Sequence, residues 1–363
     1  MTFAIPSAAP ALRLARFKTE ICAAVERVLA SGRLILGGEV EAFEQSLAAY
    51  LGMPHCVGVA SGTDALALAL RAIGIGGGDE VISVALTAPA TACAIRSIGA
   101  TLRFVDIDPV SRGMDPAALQ SAITGKTAAV VPVHLHGAPA PIVEIMAIAE
   151  RHGIAVVEDC AQACGARVGG QMLGTFGLAA AISFYPTKNL GAMGDGGAVV
   201  TRDAGIAERI RRFRCYGMST GEEAVSWGTN SRLDEVQAAI LSILLPHLNA
   251  HNEERRLIAR SYRNGLAGLE LGLPTDAAGA VYHHFAITAP HRDRLAQRLA
   301  EKGIGTKVHY SPGLHRHASF ADFGAHLPET DLLAATTLSL PIQPETVLGR
   351  SDEVAEAVRL CLR

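Results

Sequence analysis

From about residue 55 the chain alternates short apolar runs with stretches of helical period. The runs are HCVGVA, EVISVAL, TLRFVDID, AAVVPVHL and GIAVVEDC, and between them lie TDALALALRAIG, APATACAIRSIG, DPAALQSAI and PIVEIMAIAERHG. Near-continuous apolar runs predict strands buried on both faces, and strands alternating with helices predict a mostly parallel sheet with helices on either side. Several of these helices close on glycine, as in RSIGA and ERHGI, which suits a helix C-terminus. Upstream, amphipathic helices are expected around residues 17–30 and 39–50, either side of SGRLILGG.

The pattern changes near residue 230. SRLDEVQAAILSILLPHLNAHNEERRLIARSYRNGLAGL predicts two long helices broken near Pro246. Then come a strand in VYHHFAIT, a helix in RDRLAQRLAEKG, a strand in TKVHYS and a last helix from about Ser351. The expected division is a large domain over 1–245, with the N-terminal helices of 1–54 included, and a smaller α/β domain over 246–363.

Composition narrows the classes. The 363 residues are 49% hydrophobic and 18% charged, which fits a well-buried globular enzyme. The net charge of −3 and the lack of a long basic run argue against nucleic acid as partner. No apolar run reaches the ~20 residues of a membrane span. The opening MTFAIPSAAPALRLARFKTE lacks the charged and apolar regions of a signal peptide. The seven cysteines are scattered without a Cys-x-x-Cys, which predicts reduced thiols and a cytoplasmic protein. Cys160 and Cys164 read as small buried hydrophobes rather than a metal clip.

Ligands of open parallel sheets bind at the carboxyl ends of strands. Three stretches there carry chemistry. In VVEDCAQA, Glu158 and Asp159 fall where a strand stops, and Gln162 follows. A carboxylate at that place can hold a cationic ring nitrogen, although Asp159 alone reads as an ordinary helix cap. In VASGTDALALAL a strand gives way to a helix at Ser61-Gly62-Thr63. This is a plain cap or an anion site with equal merit. In AAISFYPTKNLGAMGDGGAVV, Lys188 follows an apolar strand and precedes a glycine-rich loop. Away from water its ammonium is disfavoured and the amine becomes a nucleophile; in water it is a common loop lysine. Together, a Schiff-base lysine, a pyridinium partner and a phosphate cradle make a pyridoxal phosphate pocket.

Over about residues 20–360 the chain resembles the DegT/StrS family of pyridoxal phosphate-dependent nucleotide-sugar aminotransferases. The motifs that carry the likeness are SGRLILGGEVEAFEQSLAAYLG, VGVASGTDALALALRAIGIGGGDEVI, VEDCAQACGA, SFYPTKNLGAMGDGGAVV, GTNSRLDEVQAAIL and GIGTKVHYSPGLH. The resemblance implies the aspartate aminotransferase fold (fold type I), an α/β fold. Its large domain has a mostly parallel, seven-stranded-type sheet flanked by helices, and its C-terminal α/β domain is smaller. It implies that Lys188 binds the cofactor covalently, that Asp159 pairs with the pyridine nitrogen and that Gln162 reaches the ring hydroxyl. Gly62, Thr63 and Ser183 would hold the phosphate, with Asn230 reaching the phosphate of the neighbouring subunit in a homodimer with shared sites. His309, Tyr310 and His315 would line the sugar side, where their other reading is packing. The implied substrates are a nucleotide-diphosphate keto-sugar and an amino acid donor, glutamate.

One position departs from the family. Where members carry threonine followed by an aromatic that stacks on the cofactor, this chain has Thr87-Ala88, and a methyl group cannot stack like a ring. Both residues are still expected near the cofactor. Relatives that dehydrate the sugar carry histidine in place of the lysine, so Lys188 argues against that alternative. A regulatory or scaffold protein on the same fold is the other alternative. GKT at 125–127 lacks the earlier glycine of a phosphate loop, and HLHG at 134–137 has no third metal ligand nearby, so no metal is expected. His283 and His284, in a strand pattern, are expected to point opposite ways.

Overall fold

The computed structural model describes residues 3–219, 223–323 and 325–362. One sheet contains β1 (His55–Val59), β2 (Glu80–Val84), β3 (Thr101–Val105), β4 (Thr127–Val130) and β5 (Ala155–Asp159). After the short hairpin β6 (Arg167–Val168) and β7 (Gln171–Met172), the same sheet gains β8 (Ala179–Ser183) and β9 (Gly197–Thr201). The strand order is β1-β9-β8-β5-β4-β2-β3. The run from β3 to β8 pairs in parallel, and β9 is antiparallel to both β8 and β1. The reversal has a simple cause. No helix intervenes between Ser183 and Gly197, and without a crossover a chain can only return antiparallel.

Burial on both faces explains the continuous apolar runs: β2 and β9 are buried at every position. In β8, Ala180 and Ile182 pack with Phe43, Leu47 and Phe184, whereas Ala179 and Ala181 pack with Leu66, Val157 and Val199. This is the two-residue period of a strand between two layers. The small side chains of Ala179 and Ala181 let the helix Gly62–Ala72 lie close over that face of β8. Cys160 and Cys164 are buried, and burial pushes both thiols up, Cys164 to about 12.

The N-terminal helices are Lys18–Ser31 and Gly38–Leu51, preceded by an unexpected short helix, Pro10–Arg16. The long helical stretch is Glu235–Leu244 and Leu248–Leu266, joined by a tight turn at Pro246. Beyond it, β10 (Phe285–Thr288) and β11 (Thr337–Leu340) form an antiparallel pair. Helices Leu248–Leu266, Arg292–Glu301 and Ser351–Leu362 enclose it around Tyr262, Phe285, Leu299, Leu338 and Val358. A few segments pack across position 245. Ile5 lies in this second core and bridges to Ile304. Leu314, Phe320 and Leu327 pack instead on the large sheet.

Two expected strands differ. In VYHHFAIT the strand starts only at Phe285, because Tyr282 has φ +44° and breaks the extended run. TKVHYS forms no strand; Lys307 makes only a bridge to Ser339.

Candidate active site

β5 and β8 are neighbours and end at one edge of the sheet, with Asp159 in register with Ala181. The turn from β1 into the Gly62–Ala72 helix reaches the same edge. There a cavity of about 380 Å³ is lined by Gly62, Thr63, Thr87, Ala88, Asp159, Gln162, Ser183, Lys188, His309 and Tyr310. A cleft of about 560 Å³ elsewhere, walled by residues such as Val110, Leu271 and Leu333, is lined by no lysine, histidine or cysteine. Convergent polar groups mark the smaller cavity as the site.

Lys188 stands on a loop that is held from beneath. Its N–H donates to the Tyr185 carbonyl at 2.8 Å. The guanidinium of Arg13, 3% exposed, donates to the carbonyls of Lys188 at 2.7 Å, Pro186 at 2.8 Å, and Asn189 and Gly191 at 3.2 Å. The Asn189 side chain donates to Asn252 and to the Val281 carbonyl. Protein surrounds the Lys188 amine on all sides but the cavity. Burial lowers its pKa to about 8, with the Asp159 charge pulling part of the way back. Near physiological pH the amine therefore carries a far larger neutral, nucleophilic fraction than a solvated lysine.

Arg13→Met would strand four carbonyls. The expected loss of stability is about 2–4 kcal/mol by chemical denaturation. Arg13→Lys should recover only part of it, because an ammonium cannot reproduce the fork.

Asp159 is fixed by two donors: the Thr91 hydroxyl to Oδ2 at 2.9 Å and the Ala161 N–H to Oδ1 at 3.1 Å. Thr91 lies 3.0 Å from the Thr87 hydroxyl, so a short relay buttresses the carboxylate. Across the cavity, the first N–H groups of a helix lack intrahelical partners. Ser61 Oγ caps that of Asp64 at 3.1 Å, while Gly62 and Thr63 line the cavity with Ser183 beside them. A Cβ on Gly62 would stand 2.7 Å from Ser183 Cβ, so only glycine permits this approach. Gln162 accepts the His136 N–H at 2.7 Å and donates to the Tyr310 hydroxyl at 3.0 Å.

Two candidate residues lie off this cavity. His315 is buried with Nε2 3.0 Å from Asp331, which corrects its expected place on the pocket wall. Asn230 is exposed on a segment bridged to Cys215 and does not line the cavity of its own chain. His283 and His284 also correct the expectation of opposite orientations. Both line the cavity, their ring centroids 4.0 Å apart, and His284 stacks on His309 at 3.7 Å. Burial drives His136, His283 and His284 well below the usual histidine range and His309 to about 4, so these imidazoles are neutral at pH 7.

The HLHG histidines are buried rather than loop-exposed. His134 Nε2 lies 3.2 Å from Glu158, and its Nδ1 accepts the Ala140 N–H. His134, Glu158 and Cys160 are close enough together to suit a metal. However, Glu158 already accepts the N–H groups of Gly174, Phe176 and Gly177, so the cluster serves as a structural hydrogen-bond centre.

The model of the DegT/DnrJ/EryC1/StrS aminotransferase family matches residues 16–359. The chain belongs to this family. It is 45% identical to the dTDP-3-amino-3,4,6-trideoxy-alpha-D-glucose transaminase of Streptomyces venezuelae, covering 94% of this chain and 92% of that protein. It is 44% identical to a pleiotropic regulatory protein of Geobacillus stearothermophilus, covering 94% of both. The crystal structure of S. venezuelae DesV in complex with a ketimine intermediate superposes with a TM-score of 0.97 at 43% identity, covering 100% of this chain and 99% of that one. As in other members of the DegT/DnrJ/EryC1/StrS family, the site of this chain suits pyridoxal phosphate. Its donor set has a fixed carboxylate, a buried amine and a glycine cradle that any Cβ would fill. No helix among the described residues is long and apolar enough to cross a membrane.

Proposed function

We propose that the chain transfers an amino group from an amino acid donor, glutamate, to a nucleotide-diphosphate keto-sugar. The observation that carries this is the convergence of Lys188, Asp159 and the Gly62–Thr63 turn on one cavity in a sugar aminotransferase relative. Pyridoxal phosphate, when bound, supplies the electron sink that weakens bonds at the donor's Cα. Asp159, held by Thr91 and Ala161, keeps the ring nitrogen protonated by placing a fixed negative charge beside it. Gly62, Thr63 and Ser183 hold the phosphate, and the second amide hydrogen of Gln162 reaches the ring hydroxyl. Thr87 and Ala88 border the ring. Lys188 Nζ would take the donor's Cα proton and hold it for return, which is the work of a base with a pKa near the working pH. His309 and Tyr310 line the sugar side; for His315 we keep only a supporting role through Asp331.

The protein acts as a homodimer in this reading, with Asn230 reaching the partner's phosphate. The support is a set of exposed large apolar side chains on and near these loops: Ile35, Tyr185, Met193, Tyr216 and Trp227. The large domain over 1–245 supplies the cofactor site and the domain over 246–363 closes it. The protein works in the cytoplasm. A scaffold needs neither a nucleophilic amine nor a phosphate cradle, so these features favour the aminotransferase over the scaffold alternative.

The test is to incubate the cofactor-loaded protein with glutamate and a panel of dTDP-, UDP- and GDP-linked 3- and 4-keto-sugars. The expected result is equal amounts of 2-oxoglutarate and one amino sugar by mass spectrometry. No product with any sugar would count against the reading.

A further inference from the structure

Behind the active-site cavity lies a second, smaller one of about 50 Å³. The two share Thr187, His283, His284, Lys307 and His309, so they are separated only by a wall of side chains next to Lys188. The far side of the small cavity is formed by Arg255 and Ser339. We propose that this cavity is a carboxylate subsite, in which Arg255 and Lys307 take the distal carboxylate of a dicarboxylic amino donor. The proposal rests on the aminotransferase reading and names its donor class.

Four observations support it. First, Arg255 is 3% exposed, yet no carboxylate lies within ion-pair distance of it among the described residues. Among the described residues, its side-chain hydrogen bonds run from one terminal nitrogen to the carbonyls of Tyr282 at 3.2 Å and His283 at 3.4 Å, and its Nε is buried without a partner. A buried guanidinium in that state is poorly satisfied, and an incoming carboxylate corrects it. Glu345 and Glu254 act on its charge only from beyond ion-pair distance, and both pair instead with His251 and Arg16. Burial and the neighbouring Arg13 lower the Arg255 pKa to about 10, so it is still a cation at pH 7. Second, Lys307 is exposed at the rim with no ion-pair partner among the described residues, and its backbone is fixed by hydrogen bonds in both directions with Ser339. Third, the remaining walls do not compete for the anion. His283, His284 and His309 are neutral at pH 7, and Gln343 is already engaged with both backbone groups of Ala9. Ser339 Oγ, 2.9 Å from His309 Nδ1, is a further polar neighbour. Fourth, the size is selective. A water needs about 10–15 Å³ of such space, so the cavity holds a few waters or a carboxylate with its methylene, and no sugar ring.

The experiment uses the cofactor-loaded protein and glutarate, a dicarboxylate with no amine to react. Calorimetry should show glutarate binding. Arg255→Met should weaken it at least about tenfold, as expected for loss of a charge-assisted hydrogen bond. Arg255→Lys should restore part of it, and Lys307→Met, at an exposed position that cannot unfold the core, should weaken it several-fold. KM for glutamate should rise in the same order, with KM for the keto-sugar unchanged. Equal glutarate binding by wild type and both Met variants, no binding by wild type, or a rise in the sugar's KM instead of glutamate's would overturn the proposal. If glutarate binds as expected but no amino acid discharges the cofactor, the aminotransferase reading falls and the carboxylate subsite stands.

Discussion

Lys188→Ala is expected to lower turnover by at least about 10³-fold, because it removes both the covalent anchor and the proton carrier. The variant should stay folded. The loop position is set by backbone bonds to Arg13 and by the Asn189 side chain, none of which uses the lysine amine. A second readout follows from the amine's environment in the cofactor-free protein. Its pKa is lowered from 10.5 to about 8, so between these values the fold binds fewer protons than the unfolded chain. Stability contributed by this group is therefore lowest below about pH 8 and rises as pH climbs toward 10.5. That rise should vanish in Lys188→Ala while the rest of the pH profile is kept. An unchanged profile would mean that the amine is solvated in the fold.

Asp159→Asn carries the second large effect. The side chain keeps its shape, and the Thr91 hydroxyl can turn from donor to acceptor, so the local bonds survive. What is lost is the fixed negative charge opposite the ring nitrogen. The expected fall in kcat is about 10²–10³-fold, the usual size for removing one preorganised electrostatic contact. KM for the sugar should hardly move. A kcat within a factor of three of wild type would show that Asp159 does not face the ring nitrogen.

Much of this was readable along the chain because it is local. Each strand of the large sheet is buried on two faces, so its apolar run is continuous, and the residues at the strand ends, Asp159, Ser183 and Lys188, follow from where the runs stop. Gly62 was legible only as part of a cap or an anion site; its close approach to Ser183 comes from the fold. What stayed hidden is non-local. Arg13 lies far along the chain from the carbonyls it holds, in a segment with no motif. Thr91 reaches Asp159 from the first turn of the helix Pro89–Ser97, far along the chain from that strand end. His284 read as a strand residue because VYHHFAIT alternates well; the turn at Tyr282 that puts His283 and His284 side by side has no sequence cue. His315 sits in a stretch that matches the family, yet tertiary packing turns it to Asp331. The antiparallel return of β9 was not visible either, since strand direction depends on the connection rather than on the run.

The central claim is that the amine at position 188 bonds to the cofactor's aldehyde carbon. Borohydride reduction of the cofactor-loaded protein, followed by peptide mass mapping, tests it most directly. The account predicts a reduced pyridoxal phosphate adduct on the peptide bearing Lys188 and on no other. An adduct on Lys307 or any other lysine, or none at all in protein that has retained the cofactor, would contradict it.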